Sequence, residues 1–584
     1  MTETMMTDAT ISAATTTEVV PAMGGDVLLR LLGEQHVEYL FANAGTDFPS
    51  LIEALATLEP ARRLPRVLTI PHENLAVSMA HGHTMVSGRP QAVMLHVNVG
   101  LANGLNGLFN AGRANIPMLL MSGRTPLTEG GMAGSRSRHI HWAQEMFDQT
   151  GLAREGTKWS FEVTSALQLE TAVMRGLAIA ASEPAGPVYL SLPREPLAAP
   201  APTTPGGRRL PPTAPPSCNA HALKQVAQWL AAAERPLIIA SGIGRTLAEV
   251  EALALLAEQA AIPVVTPQPR YVCLPYDHPM HLGYEARSAL ADADLVLVVE
   301  CDVPWILELE GPPATARVVQ LGFDPLFVNY PLRGFPIDLA LSGDPAAALR
   351  QLAELLDGGE GCAPISAERL ARRRSETAAV RSKMLTAGKA RALVRGEPGG
   401  LSPAWVGQRI DALRPIDSII VNEMGGSPAD LTLDRPGSYF GGSPAGGLGW
   451  GLGAALGAKL ACPERMVICL VGDGSYMFGN PTPAHWASRA HNVPVLFVIL
   501  NNSGWSAVRR ATVAMYPKGA AAAVERPPLT DLSPSPAFEQ VVEACGGHGE
   551  RVDHPDELEP ALRRCMQIVA GGRQALINVT CRME

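Results

Sequence analysis

Short uninterrupted apolar runs recur along the chain. Each closes in a glycine or polar turn, and stretches of helical spacing separate them. VEYLFANAG at 37–45, PRVLTIPHE at 65–73, QAVMLHVNVG at 91–100 and IPMLLMSGR at 116–124 form one series. The runs NLAVSMAHGHTMVSG and ANGLNGLFNAGR lie between them, and GPVYLSLP adds a late strand. Apolar runs of this length, alternating with helices, predict parallel sheets buried on both faces. A second series contains RPLIIASGIG, IPVVTP, DLVLVVECD and ARVVQLGFDP; a third contains SIIVNE, RMVICLVGDG, PVLFVILNN and QALINVT. The fold class expected is therefore α/β, with three parallel-sheet domains.

Breaks in the pattern set the expected boundaries. Residues 1–24 read as an N-terminal extension, 25–198 as the first domain and 199–220, rich in Pro, Ala and Thr, as a linker. The middle domain is expected at 221–375, an Arg- and Ala-rich connector at 376–400, and the third domain at 401–584. A chain of 584 residues accommodates three such units. Composition narrows the picture. The formal charge of −9 argues against a broad nucleic-acid surface. No run is long enough to span a membrane, no apolar signal core opens the chain, and nine scattered cysteines without a CxxC pair read as reduced thiols, so a cytoplasmic protein is expected. With 56 glycines and 50 prolines, the chain needs many tight turns.

The strongest chemical signal is Gly472-Asp473-Gly474, which closes the strand MVICLV, with Asn501-Asn502 closing the next strand. In a parallel sheet both ends lie on the carboxyl edge, where open α/β sheets bind ligands. The Asp473 carboxylate, the Asn502 amide oxygen and the Gly504 main-chain carbonyl make a hard oxygen set suited to Mg2+. Gly474 and Ser475 offer backbone donors to a phosphate. Gly449, Gly451 and Ala454 also fit a GxGxxA dinucleotide pattern, but a long turn-rich approach precedes them where that fingerprint requires a strand. His139 and His141 have no third ligand at metal-binding spacing.

These motifs, with GGLGWGLGAALG at 446–457 and PHENLAVSMAHG at 71–82, resemble the thiamine-diphosphate-dependent superfamily of acetolactate synthase, pyruvate oxidase and benzoylformate decarboxylase. The resemblance implies a pyrimidine-binding N-terminal domain, a middle domain and a diphosphate-binding C-terminal domain. It also implies a homodimer or dimer of dimers with active sites between subunits. Glu73 matches the glutamate that hydrogen-bonds the aminopyrimidine, and Leu448 the apolar wedge beneath the bent cofactor, with Gly447 beside it. Gly426 and Ser427 are secondary diphosphate candidates, and Trp505, Ala507, Val508 and Ala511 follow the metal loop near the acyl pocket. Thr46 matches a small hydroxyl that meets the substrate carboxylate, and His96 a proton-transfer histidine; Asn98 and Asn103 are further candidates for polar substrate groups.

Which branch applies is an expectation with an alternative. GRTP at 123–126 and Gln144-Glu145 point to an acetolactate synthase-like carboligase, which decarboxylates a 2-oxo acid and transfers the acyl-carbanion equivalent to a carbonyl acceptor. The alternative is a non-oxidative 2-oxo acid decarboxylase resembling benzoylformate decarboxylase. His96 supports it, whereas CDVPWILELE at 301–310 lacks the middle-domain histidine of that type. A flavin is disfavoured, because HPMHLGYEARS runs straight to the next strand. A non-catalytic assembly partner would lack Glu73 or the metal motif, and both are present.

Overall fold

A computed structural model describes residues 22–57, 64–202, 210–359 and 361–583. Most of the expected N-terminal extension and the centre of the expected linker lie outside these residues. The first sheet contains β1 (Tyr39–Ala42), β2 (Arg66–Thr69), β3 (Gln91–Leu95), β4 (Met118–Gly123), β5 (Trp159–Glu162) and β6 (Pro187–Leu192). Its order is β2-β1-β3-β4-β6-β5, with every pair parallel. The middle sheet contains β7 (Pro236–Ala240), β8 (Val264–Val265), β9 (Leu295–Val299), β10 (Arg317–Gly322) and β11 (Leu339–Ser342), in the order β11-β10-β9-β7-β8. After a small ribbon of β12 (Gly396–Glu397) and β13 (Gly400–Leu401) come β14 (Ile419–Glu423), β15 (Tyr439–Gly441), β16 (Val467–Gly472), β17 (Leu496–Asn501), β18 (His548–Val552) and β19 (Ala575–Thr580). They form a third parallel sheet, β15-β14-β16-β17-β19-β18, which repeats the strand order of the first.

The helices that matter for the site are α1 (Gly24–Glu34), α2 (Pro49–Thr57), α3 (Glu73–Ser87), α4 (Val97–Arg113), α5 (Ala367–Ala392), α6 (Trp450–Ala461), α7 (Asp473–Phe478) and α8 (Ser506–Met515). Because α5 is unbroken, the boundary expected at 375 falls inside a helix. Its polar pattern leaves only Arg373 and Thr377 buried. The Arg373 guanidinium donates to the carbonyls of Ala260, Leu230 and Ala233, which pins α5 to the middle domain. Desolvation of that guanidinium pushes its pKa down to about 10.

The first and third domains share one hydrophobic cluster, which runs from Phe41 and Val77 through Trp450 and Leu456 to Phe497. At its centre α3 packs on α6. Every residue of α3 from Asn74 to Met85 is buried, which explains why its apolar character shows no single face. Small residues permit the contact: a Cβ on Gly457 would stand 1.9 Å from the Met79 carbonyl oxygen. Among the described residues no helix is long and apolar enough to cross a membrane.

Candidate active site

The two strand ends singled out by sequence meet as the parallel register requires. Gly472 on β16 lies opposite Leu500 on β17, so Asp473 and Asn502 emerge on one edge. Asp473 is 4% exposed; its Oδ1 accepts from Gly474 N at 2.9 Å and its Oδ2 from Gly504 N at 3.2 Å. Asn502 Oδ1 accepts from the same Gly504 N at 3.0 Å, while Asn502 Nδ2 donates to Ser506 Oγ at 2.8 Å. The structure thus converges the carboxylate of Asp473 and the amide oxygen of Asn502 on Gly504. Burial pushes the Asp473 carboxyl upward, against the backbone N–H groups that hold it. Two hard oxygen donors at one N–H group are a donor set that fits a magnesium ion.

Ser475 is buried beside Asp473, and the Trp505 ring lies directly over Gly474, where a Cβ would meet the ring at 2.1 Å. Trp505 also packs on Phe478, with ring centroids 5.7 Å apart. The loop after β14 runs alongside: Met424 bridges to Val471, and Gly426 O accepts from Asn422 Nδ2 at 3.0 Å. The Ser427 hydroxyl accepts from Ala429 N at 3.2 Å and caps its own short turn.

A second group forms in the first domain. Glu73 opens α3, half-buried, and its Oε2 accepts from Asn103 Nδ2 on α4 at 3.3 Å. His96 follows β3 and precedes α4, and its Nδ1 contacts Asp47 Oδ1 at 2.6 Å. Asp47 is 3% exposed, and its other oxygen accepts from Val97 N at 3.1 Å. The hydrogen bond to Asp47 raises the His96 pKa; burial opposes the rise, and the charges of Asp47 and Glu73 add to it. Thr46 is exposed in the same turn. Gly45 lies against the imidazole so closely that a Cβ there would meet Nδ1 at 2.0 Å.

The third group is the turn into α6. Leu448 is half-buried, and its carbonyl accepts from Asn106 Nδ2 at 3.0 Å. Gly447 O accepts from Asn110 Nδ2 at 2.8 Å. Among the described residues no hydrogen bond or ion pair joins Glu73 or His96 directly to Asp473 or Asn502. His139 and His141 belong to no cluster of three metal-ligating side chains among those residues.

Four contributors escape a sequence reading. Asp47 carries a signal, an acid in the glycine turn that closes β1, but nothing in the sequence pairs it with His96. Asn106 and Asn110 read as ordinary polar positions of an amphipathic helix. Glu423 shows as an acid at the end of an apolar strand, yet its partners lie beyond the next strand. Its Oε1 accepts from Gly449 N at 2.8 Å and Trp450 N at 3.2 Å, and its Oε2 from Gly451 N at 2.7 Å. Burial pushes its carboxyl up to about 7, against those three N–H groups.

Comparison with known proteins follows the same three-part division. Residues 22–152 match the thiamine pyrophosphate enzyme N-terminal TPP binding domain, 223–352 the central domain and 424–579 the C-terminal TPP binding domain. The chain is 31% identical over 538 residues to a benzoylformate decarboxylase of Pseudomonas aeruginosa, covering 87% of this chain and 90% of that protein. It is 29% identical over 584 residues to an acetolactate synthase large subunit of Mycobacterium tuberculosis, covering 96% and 97%. Among solved structures, a thiamine diphosphate-dependent 4-hydroxybenzoylformate decarboxylase of Rhodococcus jostii superimposes with a TM-score of 0.77 at 25% identity, over 96% of this chain and 100% of that one. With all three domain types matched in order along one chain, the protein belongs to the thiamine pyrophosphate enzyme family and is an enzyme of its lyase and transferase kind.

Proposed function

We propose that the protein is a non-oxidative 2-oxo acid decarboxylase of the benzoylformate type that uses thiamine diphosphate and Mg2+. The observation that carries this reading is the 2.6 Å contact between His96 Nδ1 and Asp47 Oδ1 close to Glu73. Once carbon dioxide has left, the electron-rich carbon either takes a proton, releasing an aldehyde, or attacks a second carbonyl. An imidazole whose protonated form is stabilised by a buried carboxylate supplies the proton and favours the first fate. Two relatives whose names state this kind of reaction add support. Ligation to an acceptor is the competing fate, supported by the acetolactate synthase relative.

Each residue has a stated task in this reading. Bound thiamine diphosphate supplies a nucleophilic carbon and an electron sink for decarboxylation. Asp473, Asn502 and the Gly504 carbonyl hold the magnesium ion; Gly426, Ser427, Gly474 and Ser475 border the diphosphate, and Trp505 walls it. Glu73 hydrogen-bonds the pyrimidine, and Gly447 and Leu448 support its other face. Thr46 binds the substrate carboxylate, and His96, oriented by Asp47, delivers the proton.

No flavin belongs to the proposal. A dinucleotide would enter at the carboxyl ends of β7 and β9, the switch point of the middle sheet. Arg245, Arg270, Glu300 and Tyr330 line the cavity there. The reading further includes a cytoplasmic homodimer or dimer of dimers with its active sites between subunits. Apolar side chains left open at the site support that assembly, among them Phe109 on α4 at 41% exposure and Phe478 at 55%.

The test is product analysis. Purified protein with thiamine diphosphate and Mg2+ is given benzoylformate or pyruvate, alone and with an acceptor aldehyde. Aldehyde as the main product is the expected result. A hydroxyketone as the main product would transfer the assignment to the carboligase class, and no turnover of either acid would overturn the 2-oxo acid reading.

A further inference from the structure

The stretch Gly447–Gly451, which leads into α6, is gripped from two sides. On one side stands Glu423, 6% exposed, which holds the N–H groups of Gly449, Trp450 and Gly451. On the other side stands α4. Asn110, 1% exposed, uses both ends of its amide: Nδ2 donates to Gly447 O at 2.8 Å, and Oδ1 accepts from Gly447 N at 3.0 Å. Asn106 Nδ2 donates to Leu448 O at 3.0 Å. A Cβ on Gly447 would stand 2.4 Å from Asn106 Oδ1 and 2.8 Å from Asn110 Oδ1, so a larger residue would push the asparagines away.

Positions 103, 106 and 110 share one face of α4. Asn103 on that face reaches Glu73 Oε2. A single helix therefore ties the acid that opens α3 to the peptide groups on either side of Leu448. With the oxygens of Gly447 and Leu448 tethered to α4 and the nitrogen of Gly449 tethered to Glu423, both peptide planes flanking Leu448 are fixed. The direction of its side chain is fixed with them.

We infer that Asn106 and Asn110 are positioning residues which, against the Glu423 anchor, aim the Leu448 side chain; this rests on the thiamine diphosphate reading of Leu448 above. Neither asparagine touches reacting atoms. Their effect is on how well Leu448 holds the pyrimidine in the geometry that lets proton removal at the thiazolium C2 occur, and only weakly on cofactor affinity, which the magnesium and diphosphate loops dominate.

The test compares the parent with Asn106→Ala and Asn110→Ala. In cofactor-free protein, amide hydrogen exchange of the peptide spanning 447–451 is expected to accelerate at least tenfold in Asn110→Ala, with exchange elsewhere unchanged. The Kd for thiamine diphosphate at saturating Mg2+, read by tryptophan fluorescence, is expected to stay within threefold. Deuterium exchange at C2 of the bound cofactor is expected to slow at least tenfold. Exchange at C2 within twofold of the parent in both variants would overturn the inference, as would a loss expressed wholly in Kd. Asn106 is exposed, so Asn106→Ala alone decides if Asn110→Ala does not fold. A parent that fails to accelerate C2 exchange defeats the cofactor reading itself, whereas a competent parent with unaffected variants defeats only the positioning role.

Discussion

At Asp47 and His96, two residues far apart in sequence act as one group. Their hydrogen bond stabilises the imidazolium, so its contribution to folding is fully present below the ordinary histidine value near 6.5. That contribution is lost as pH rises through the raised value of the folded state. Asp47→Asn is accordingly expected to destabilise the protein more at pH 6 than at pH 9, as read by urea denaturation. In the same variant the alkaline limb of the pH–rate profile should move to lower pH, because proton delivery needs the charged ring; an unmoved limb would remove His96 from that role. Glu73→Gln should lower turnover about 100-fold or more, the usual range for losing a positioned acid or base, while retaining cofactor binding. The sequence singles out Glu73, His96, Asp473 and Asn502 because each sits in a recognisable motif at or just past the junction of a strand or helix. Asp47, Asn106, Asn110 and Glu423 stayed hidden because their meaning lies in partners brought near only by folding.

At the scale of elements, the strands with four or more consecutive apolar residues could be read directly. Four of the six edge strands could not. Trp159–Glu162, Leu339–Ser342, Tyr439–Gly441 and His548–Val552 mix polar or glycine positions with short apolar ones, since an edge strand is open on one side. The tract before Gly449 reads as turn throughout, yet it contains Tyr439–Gly441, whose residues are all buried. The approach of α3 to α6 makes a sharper prediction. Gly457→Ala places a methyl carbon against the Met79 carbonyl and should cost about 1–3 kcal/mol or more through overpacking. The measurement is the midpoint of the first urea transition, compared with Gly388→Ala on α5, where a Cβ would meet nothing within 4 Å. A neutral result would mean that the two helices slide apart without penalty.

For the whole molecule, ligand linkage provides the global check. If Asp473 and Asn502 hold magnesium and the diphosphate, the two ligands together should raise Tm, with a gain of about 2.7 kcal/mol at one hundred times Kd. Asp473→Ala should abolish that gain, read against the variant's own Tm without ligands, and a retained gain would place the ligands elsewhere. The repeated strand order of the outer sheets carries a broader consequence. In each, the strand paired with the sheet's first strand in sequence leads on to a helix, α3 after β2 and α6 after β15, and those counterpart helices pack on each other. The outer domains thus meet as two halves of an internal pair, and the middle domain joins the seam through Tyr271, which belongs to their shared hydrophobic cluster and packs on Phe440. Cut within the exposed stretch 210–217 between the first and middle domains, the two pieces should still find each other as separate polypeptides, because what unites them is a buried surface and not the peptide chain.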